Sequence, residues 1–145
     1  MFKPISLFNV VYKIISRFIA NKLNPLLPIL VSKEQSDFVE GRKIMDNIIL
    51  AHEIIHTLKS RKKVGMIVQL DFTKAYDKLS WNYMEKELES FGFDKHWIKW
   101  VMTLVSTTSF ILLANEAPTK PFSPSRGLRQ GDLLSPFLFI IIMKG

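Results

Sequence analysis

The chain has no cysteine. Disulfides and thiolate metal sites are therefore excluded, and the redox compartment is left open. No apolar run is long enough to span a membrane: the patch at residues 137–143 falls far short of the about 20 residues required. There is no internal repeat and no low-complexity tract. Acid is missing from the first 33 residues, which carry Lys3, Lys13, Arg17, Lys22 and Lys33. That composition matches a mitochondrial transit peptide, but serines are few and the patterned segment runs on into a packed-looking body. Acid is scarce overall, with 13 Asp and Glu against 20 Lys and Arg. The net charge of +7 and pI near 9.7 favour a polyanionic partner, although a merely soluble basic protein would share them.

What is present is enough for one folded domain. The 145 residues can bury a real core. An apolar content of 48% and 11 phenylalanines argue against disorder. The chain is organised around VGMIVQLDFTKAYDKLSW, residues 64–81. Met66, Ile67, Val68 and Leu70 form a short apolar run that predicts a buried strand. The run ends on Asp71. From Thr73 the pattern turns helical, through Tyr76, Leu79, Tyr83, Met84 and Leu88. A carboxylate thus stands where a strand hands over to a helix, the place where ligands bind in open α/β sheets. The competing reading is an acid favoured by the helix dipole.

A second stretch, SRGLRQGDLLSPFLF at residues 125–139, begins basic and glycine-punctuated and becomes an apolar helix. Such a loop can bring backbone N–H groups and two arginines to phosphates. Pro136 suits the first turn of the closing helix. Between the stretches lie a helix capped by Asp94, running through Trp97, Ile98, Trp100, Val101, Leu104 and Val105, and a strand at residues 110–114. A turn rich in proline (Pro118, Pro121, Pro124) follows.

Earlier in the chain, residues 3–9 read as extended, with Asn9 capping a helix. The apolar face of that helix is Val11, Ile14, Ile15, Phe18, Ile19 and Leu23, with Lys13, Arg17 and Lys22 elsewhere. Pro25 and Pro28 break it. After a polar loop with Gly41 and Arg42, a second helix spans residues 44–58 with a stripe of Ile48, Ile49, Ile55 and Leu58. The basic run KSRKK at residues 59–63 is a nuclear-localisation or phosphate-binding cluster, or more simply a solvated loop. The second helix contains HEIIH, residues 52–56, which matches the zinc-protease signature. The extended form of that motif fails at Lys59 and Lys62. Glu85, Glu87 or Glu89 would have to supply the third ligand, and the following lysines would repel the ion.

Four blocks, PISLFNVVYKIISRFIANKL, QSDFVEGRKIMDNIILAHEIIH, LDFTKAYDKLSW and SRGLRQGDLLSP, closely resemble the reverse transcriptase domain of plant non-LTR (LINE-type) retrotransposons, in that order and over nearly the whole chain. The resemblance implies an α+β, right-hand polymerase fold: fingers over about residues 1–63, then a palm with interleaved fingers elements over 64–145. It would be helix-rich with a small sheet and no thumb. It implies extension of a DNA primer on an RNA template with deoxynucleoside triphosphates, by two-metal nucleotidyl transfer with magnesium or manganese. It further implies that Asp71 is the first metal-binding aspartate, with the Phe72 carbonyl as an adjacent ligand. By the same resemblance Tyr76 becomes the aromatic gate against a ribose 2′-OH, five residues on. Gln130 and Gly131 would pack on the incoming nucleotide. Lys13, Arg42, Arg126 and Arg129 become candidates for phosphate or template contact. Asp77 reads as structural and Asp132 as a helix cap. The compartment implied is nucleus or cytoplasm.

Two departures from the pattern matter. Leu133 stands where the family usually has proline, which loosens the turn. The chain stops before the family's aromatic-x-Asp-Asp hairpin, so one carboxylate is left to hold two metal ions, and catalysis by the chain alone is not expected. An incomplete palm would also leave a sheet edge and the apolar residues 137–143 without a partner. The alternative is a non-catalytic nucleic-acid-binding module using the same surface.

Overall fold

The computed structural model describes residues 9–111, 113–114 and 117–144, so most of the extended segment expected at residues 3–9 lies outside them. The chain enters on helix α1 (Val10–Leu23), which Asn9 caps by accepting the Tyr12 amide at 2.7 Å. The prolines act as expected. Pro25 opens a 3₁₀ turn at Asn24–Leu26, and Pro28 lies in the first turn of α2 (Leu27–Leu30). The buried stripe of α1 differs from the predicted one. It is Ser16, Ile19, Ala20 and Leu23, while Val11, Ile14, Ile15 and Phe18 are exposed. The helix is turned so that Ser16 reaches a buried carboxylate, described below.

Helix α3 (Ile44–Ser60) forms where the sequence places it, but none of its residues is buried. It stops with Lys62 in a left-handed conformation (φ 49°), where the amides of Lys62 and Lys63 bond the carbonyls of Lys59 and Leu58. This is a Schellman stop built on lysine rather than glycine. Two short steps follow, α4 (Ala75–Lys78) and α5 (Trp81–Ser90), where the periodicity suggested one helix; the backbone leaves helical geometry at Leu79 and Ser80. Gly92 (φ 80°) then closes α5 with amide bonds from Gly92 to Glu89 and from Phe93 to Leu88. Asp94 caps α6 (Lys95–Ser106) through the amides of His96 and Trp97. Turn and cap together fold α6 back on α5.

The expected strand at residues 110–114 is reduced to β1 (Leu113–Ala114), antiparallel to β2 (Ala117–Pro118), with a separate bridge between Phe110 and Phe122. Leu112 lies outside the described residues. The strand predicted at residues 66–70 is absent: residues 64–72 carry no regular secondary structure, and Val64, Met66, Ile67, Val68, Leu70 and Phe72 are all exposed. The reason is the lack of a ladder. Among the described residues no strand runs beside this segment, and an isolated strand leaves its backbone groups to water.

The closing helix α7 (Ser135–Ile142) corrects a further expectation. Its apolar residues do not wait for a partner. Leu138, Ile141 and Ile142 are fully buried at the centre of the core, with Leu23, Leu27, Met84, Leu88 and Val101. A helix apolar on every side belongs inside, and α7 packs on α2 and α5 within a core that α1 and α6 also enter. The result is helix-rich, with one small sheet among the described residues. No helix among the described residues is long and apolar enough to cross a membrane.

Candidate functional site

The two stretches singled out in the sequence meet in space. The Leu128 amide donates to the Tyr76 carbonyl at 2.8 Å, and the Gly127 amide donates to the Leu79 carbonyl at 2.8 Å. The Trp81 indole N–H donates to the Gly127 carbonyl, also at 2.8 Å. Gly127 has φ 93°, and a Cβ there would come within 3.0 Å of the Asp77 carbonyl oxygen and 3.1 Å of the Tyr76 carbonyl oxygen. Both its backbone conformation and its contact demand glycine. Gly131, which the sequence marked for close approach, is also left-handed at φ 91°.

Tyr76 is half-buried and stacks on Phe139 of α7, with ring centroids 4.7 Å apart. Burial first, and the Asp37 carboxylate second, raise its phenol above the ordinary value. An aromatic packed in this way is held in place without being sealed in. Just upstream, Lys74 has φ 55°, a left-handed backbone that is costly outside glycine. Asp71 and Phe72 precede it on the exposed segment, and Asp77 is exposed on α4.

The other candidates are distributed differently. Gln130 is half-buried in the loop, and Arg126 is exposed. Arg129 turns inward: its guanidinium donates to the Leu104 carbonyl at 3.1 Å and lies 4.4 Å from the Tyr12 ring centroid. Burial lowers its pKa. Arg42 is also engaged, donating to the carbonyls of Ser32, Gln35 and Pro28 and so fastening the loop between α2 and α3. Lys13 is exposed and lines a cleft of about 320 Å³ with Arg17, Gly131, Asp132 and Leu133.

Sequence reasoning missed the group beneath that cleft. Asp132 is only 8% exposed. It accepts the Tyr12 hydroxyl at 2.8 Å and the Ser16 hydroxyl, and it bonds the Leu134 amide and the Ser135 hydroxyl at 3.4 Å each. This replaces the capping role expected of it: α7 has Leu134 at its N-cap with no side-chain cap bond, and the closer partners of the carboxylate are the two hydroxyls of α1. Burial first, then Asp132, hold the Tyr12 phenol well above its ordinary pKa. The sequence held no clear signal for it, because the apolar face read for α1 did not include Ser16.

Asp71 and the Phe72 carbonyl do not by themselves fit a magnesium ion, which demands near-octahedral oxygen coordination. Among the described residues no three His, Cys, Asp or Glu side chains gather to hold an ion, and His52 and His56 stand exposed on α3.

The family model described as "Reverse transcriptase (RNA-dependent DNA polymerase)" matches residues 1–145. The chain belongs to the reverse transcriptase family. It is 28% identical over 98% of its length to the transposon TX1 uncharacterized 149 kDa protein of Xenopus laevis, of which it covers 11%. It is also 28% identical over 98% of its length to the Pol polyprotein of retrotransposable element R2DM of Drosophila melanogaster, covering 13% of that protein. To the R2 Pol polyprotein of Popillia japonica it is 25% identical over 97% of its length, covering 20%. The chain therefore spans only a small part of each of these relatives. All three are animal proteins, so they establish kinship with non-LTR retrotransposons at large rather than with the plant branch. The reverse transcriptase match takes in both the segment around Asp71 and the loop around Gln130.

Proposed function

We propose that this chain is part of a retrotransposon RNA-directed DNA polymerase and supplies one side of its nucleotide site, where Tyr76, Gln130 and Gly131 meet the incoming deoxynucleotide. The observation that carries the reading is the seating of the glycine loop on the Tyr76–Trp81 segment, through Gly127 and Leu128. It joins two of the four stretches on which the resemblance rests. In this reading Asp71 is one ligand of a two-metal centre, and such a centre stabilises both the attacking and the leaving oxygen of nucleotidyl transfer. No chemical step is assigned to the chain alone. Among the described residues no group of three donors gathers, and the 145-residue sequence contains no aromatic-x-Asp-Asp. Fingers over residues 1–63 and palm over 64–145 remain the corresponding division, with RNA template and DNA primer gripped by basic side chains such as Lys13 and Arg126.

The small donor set also favours a second reading, a non-catalytic nucleic-acid-binding module. One experiment addresses both. Labelled primer–template, a DNA primer on an RNA template, is titrated with the chain and then supplied with deoxynucleotides and magnesium or manganese. Salt-sensitive binding that deoxynucleotide tightens, without primer extension, supports the polymerase fragment. Binding indifferent to nucleotide supports the module. Extension by the chain alone contradicts the incompleteness, and absence of binding removes both readings.

A further inference from the structure

The loop at residues 126–132 is held at two ends. At one end, Gly127 and Leu128 bond to the Tyr76 and Leu79 carbonyls. At the other, Asp132 receives the Tyr12 and Ser16 hydroxyls from α1. Arg129, between the ends, bonds the Leu104 carbonyl of α6 and lies over the Tyr12 ring. Gln130 and Gly131 occupy the short span between Arg129 and Asp132. With both flanking residues tied to helices, that span has little freedom left.

The arrangement is more than ordinary packing. Ser16 is 1% exposed and Asp132 is 8% exposed. Burying a carboxylate is expensive unless it is well hydrogen-bonded, and an apolar pair would fill the same space without that cost. What polar groups add is direction: two hydroxyls one helical turn apart on α1 each bond a different oxygen of one carboxylate. That fixes both the rotation of α1 and the position of the loop. Tyr12 has a second contact, its ring beneath the Arg129 guanidinium, so one side chain ties both residues that flank the span.

We propose that Tyr12, Ser16 and Asp132 are positioning residues, a lock between α1 and the loop that fixes Gln130 and Gly131 without touching the nucleotide. The functional consequence rests on the reading of Gln130 and Gly131 as nucleotide contacts. The lock itself rests only on the contacts above. Substituting Tyr12→Phe removes one hydroxyl and keeps the ring under Arg129. Substituting Ser16→Ala removes the other.

The test uses the full chain in three forms: wild type, Tyr12→Phe and Ser16→Ala. Amide exchange is followed residue by residue, and retention of a fluorescent deoxynucleoside triphosphate on primer–template is measured well below the melting temperature. In both variants the protected amides of Gly127, Leu128 and Leu134 exchange about tenfold faster, while those of Val101 and Val105 in α6 do not. Nucleotide affinity falls severalfold at a temperature where each variant is fully folded. Unchanged loop exchange in both variants overturns the proposal, and so does acceleration spread equally over α5 and α6, which marks general destabilisation. A wild-type chain that retains no deoxynucleotide defeats the polymerase reading instead, and the exchange pattern then decides the lock alone.

Discussion

Gly127 rests against Asp77 so closely that a methyl group on its α-carbon would stand 3.0 Å from the Asp77 carbonyl oxygen. The contact joins parts of the chain separated by dozens of residues, and the indole of Trp81 closes it from the other side. Alanine at Gly127 meets both the left-handed backbone and the crowded carbonyl. The Gly127→Ala chain should lose more than about 2 kcal/mol in urea unfolding. Trp81→Phe removes the donor and part of a ring packed against the core, and should lose about 1–3 kcal/mol.

The core lies at α7, and the apolar run at residues 64–72 is outside it. Leu138→Ala should cost about 2–5 kcal/mol, as expected for truncating a fully buried leucine. Ile67→Ala should change stability by no more than about 0.5 kcal/mol, because that side chain is exposed. Equal effects in chemical denaturation would contradict the arrangement of the core.

The raised Tyr12 phenol makes a prediction for alkaline solution. Below about pH 10 the phenol is protonated in both folded and unfolded chains, and its contribution to stability is complete. Above that, the unfolded chain releases the proton while the buried phenol keeps it. Stability then falls by up to about 1.4 kcal/mol per pH unit for each such phenol. The melting temperature should drop from pH 10 upward, and less steeply in Tyr12→Phe. Tyr76, raised for the same reason of burial, keeps part of the slope in that variant.

Lys13 and Arg17 line the cleft beside Gly131, and neither makes an ion pair with the described residues. Binding of a labelled single-stranded RNA should weaken linearly on a log–log plot against salt. Lys13→Ala should reduce that slope by about 0.7, the share of one phosphate contact on a single strand. A slope that does not move would place Lys13 outside the nucleic-acid path.

Much of this was legible in the sequence, for local reasons. Asn9, Asp94, Pro28 and Pro136 act within one turn of their own positions, so their roles could be read without knowing the fold. The closeness of the Tyr76–Trp81 segment and the glycine loop was implied by the resemblance, and the structure adds the bonds through Gly127. The failures concern relations between distant residues. Periodicity at residues 66–70 shows an apolar run but cannot supply the neighbouring strand a ladder requires. The pattern in α1 marked its apolar side, yet Ser16 and Asp132 pulled a different side inward. The all-apolar α7 looked unpartnered because no sequence rule counts the helices that will surround it.

The central claim is that Tyr76 and the loop at Gln130 face a deoxynucleotide. The most direct measurement compares retention of dTTP and UTP by the chain on an RNA–DNA primer–template with magnesium present. The account predicts tighter retention of dTTP than of UTP, a preference abolished in Tyr76→Ala, and weaker retention of both nucleotides in Asp71→Asn. Equal retention by the wild-type chain, or a preference that survives Tyr76→Ala, would contradict it.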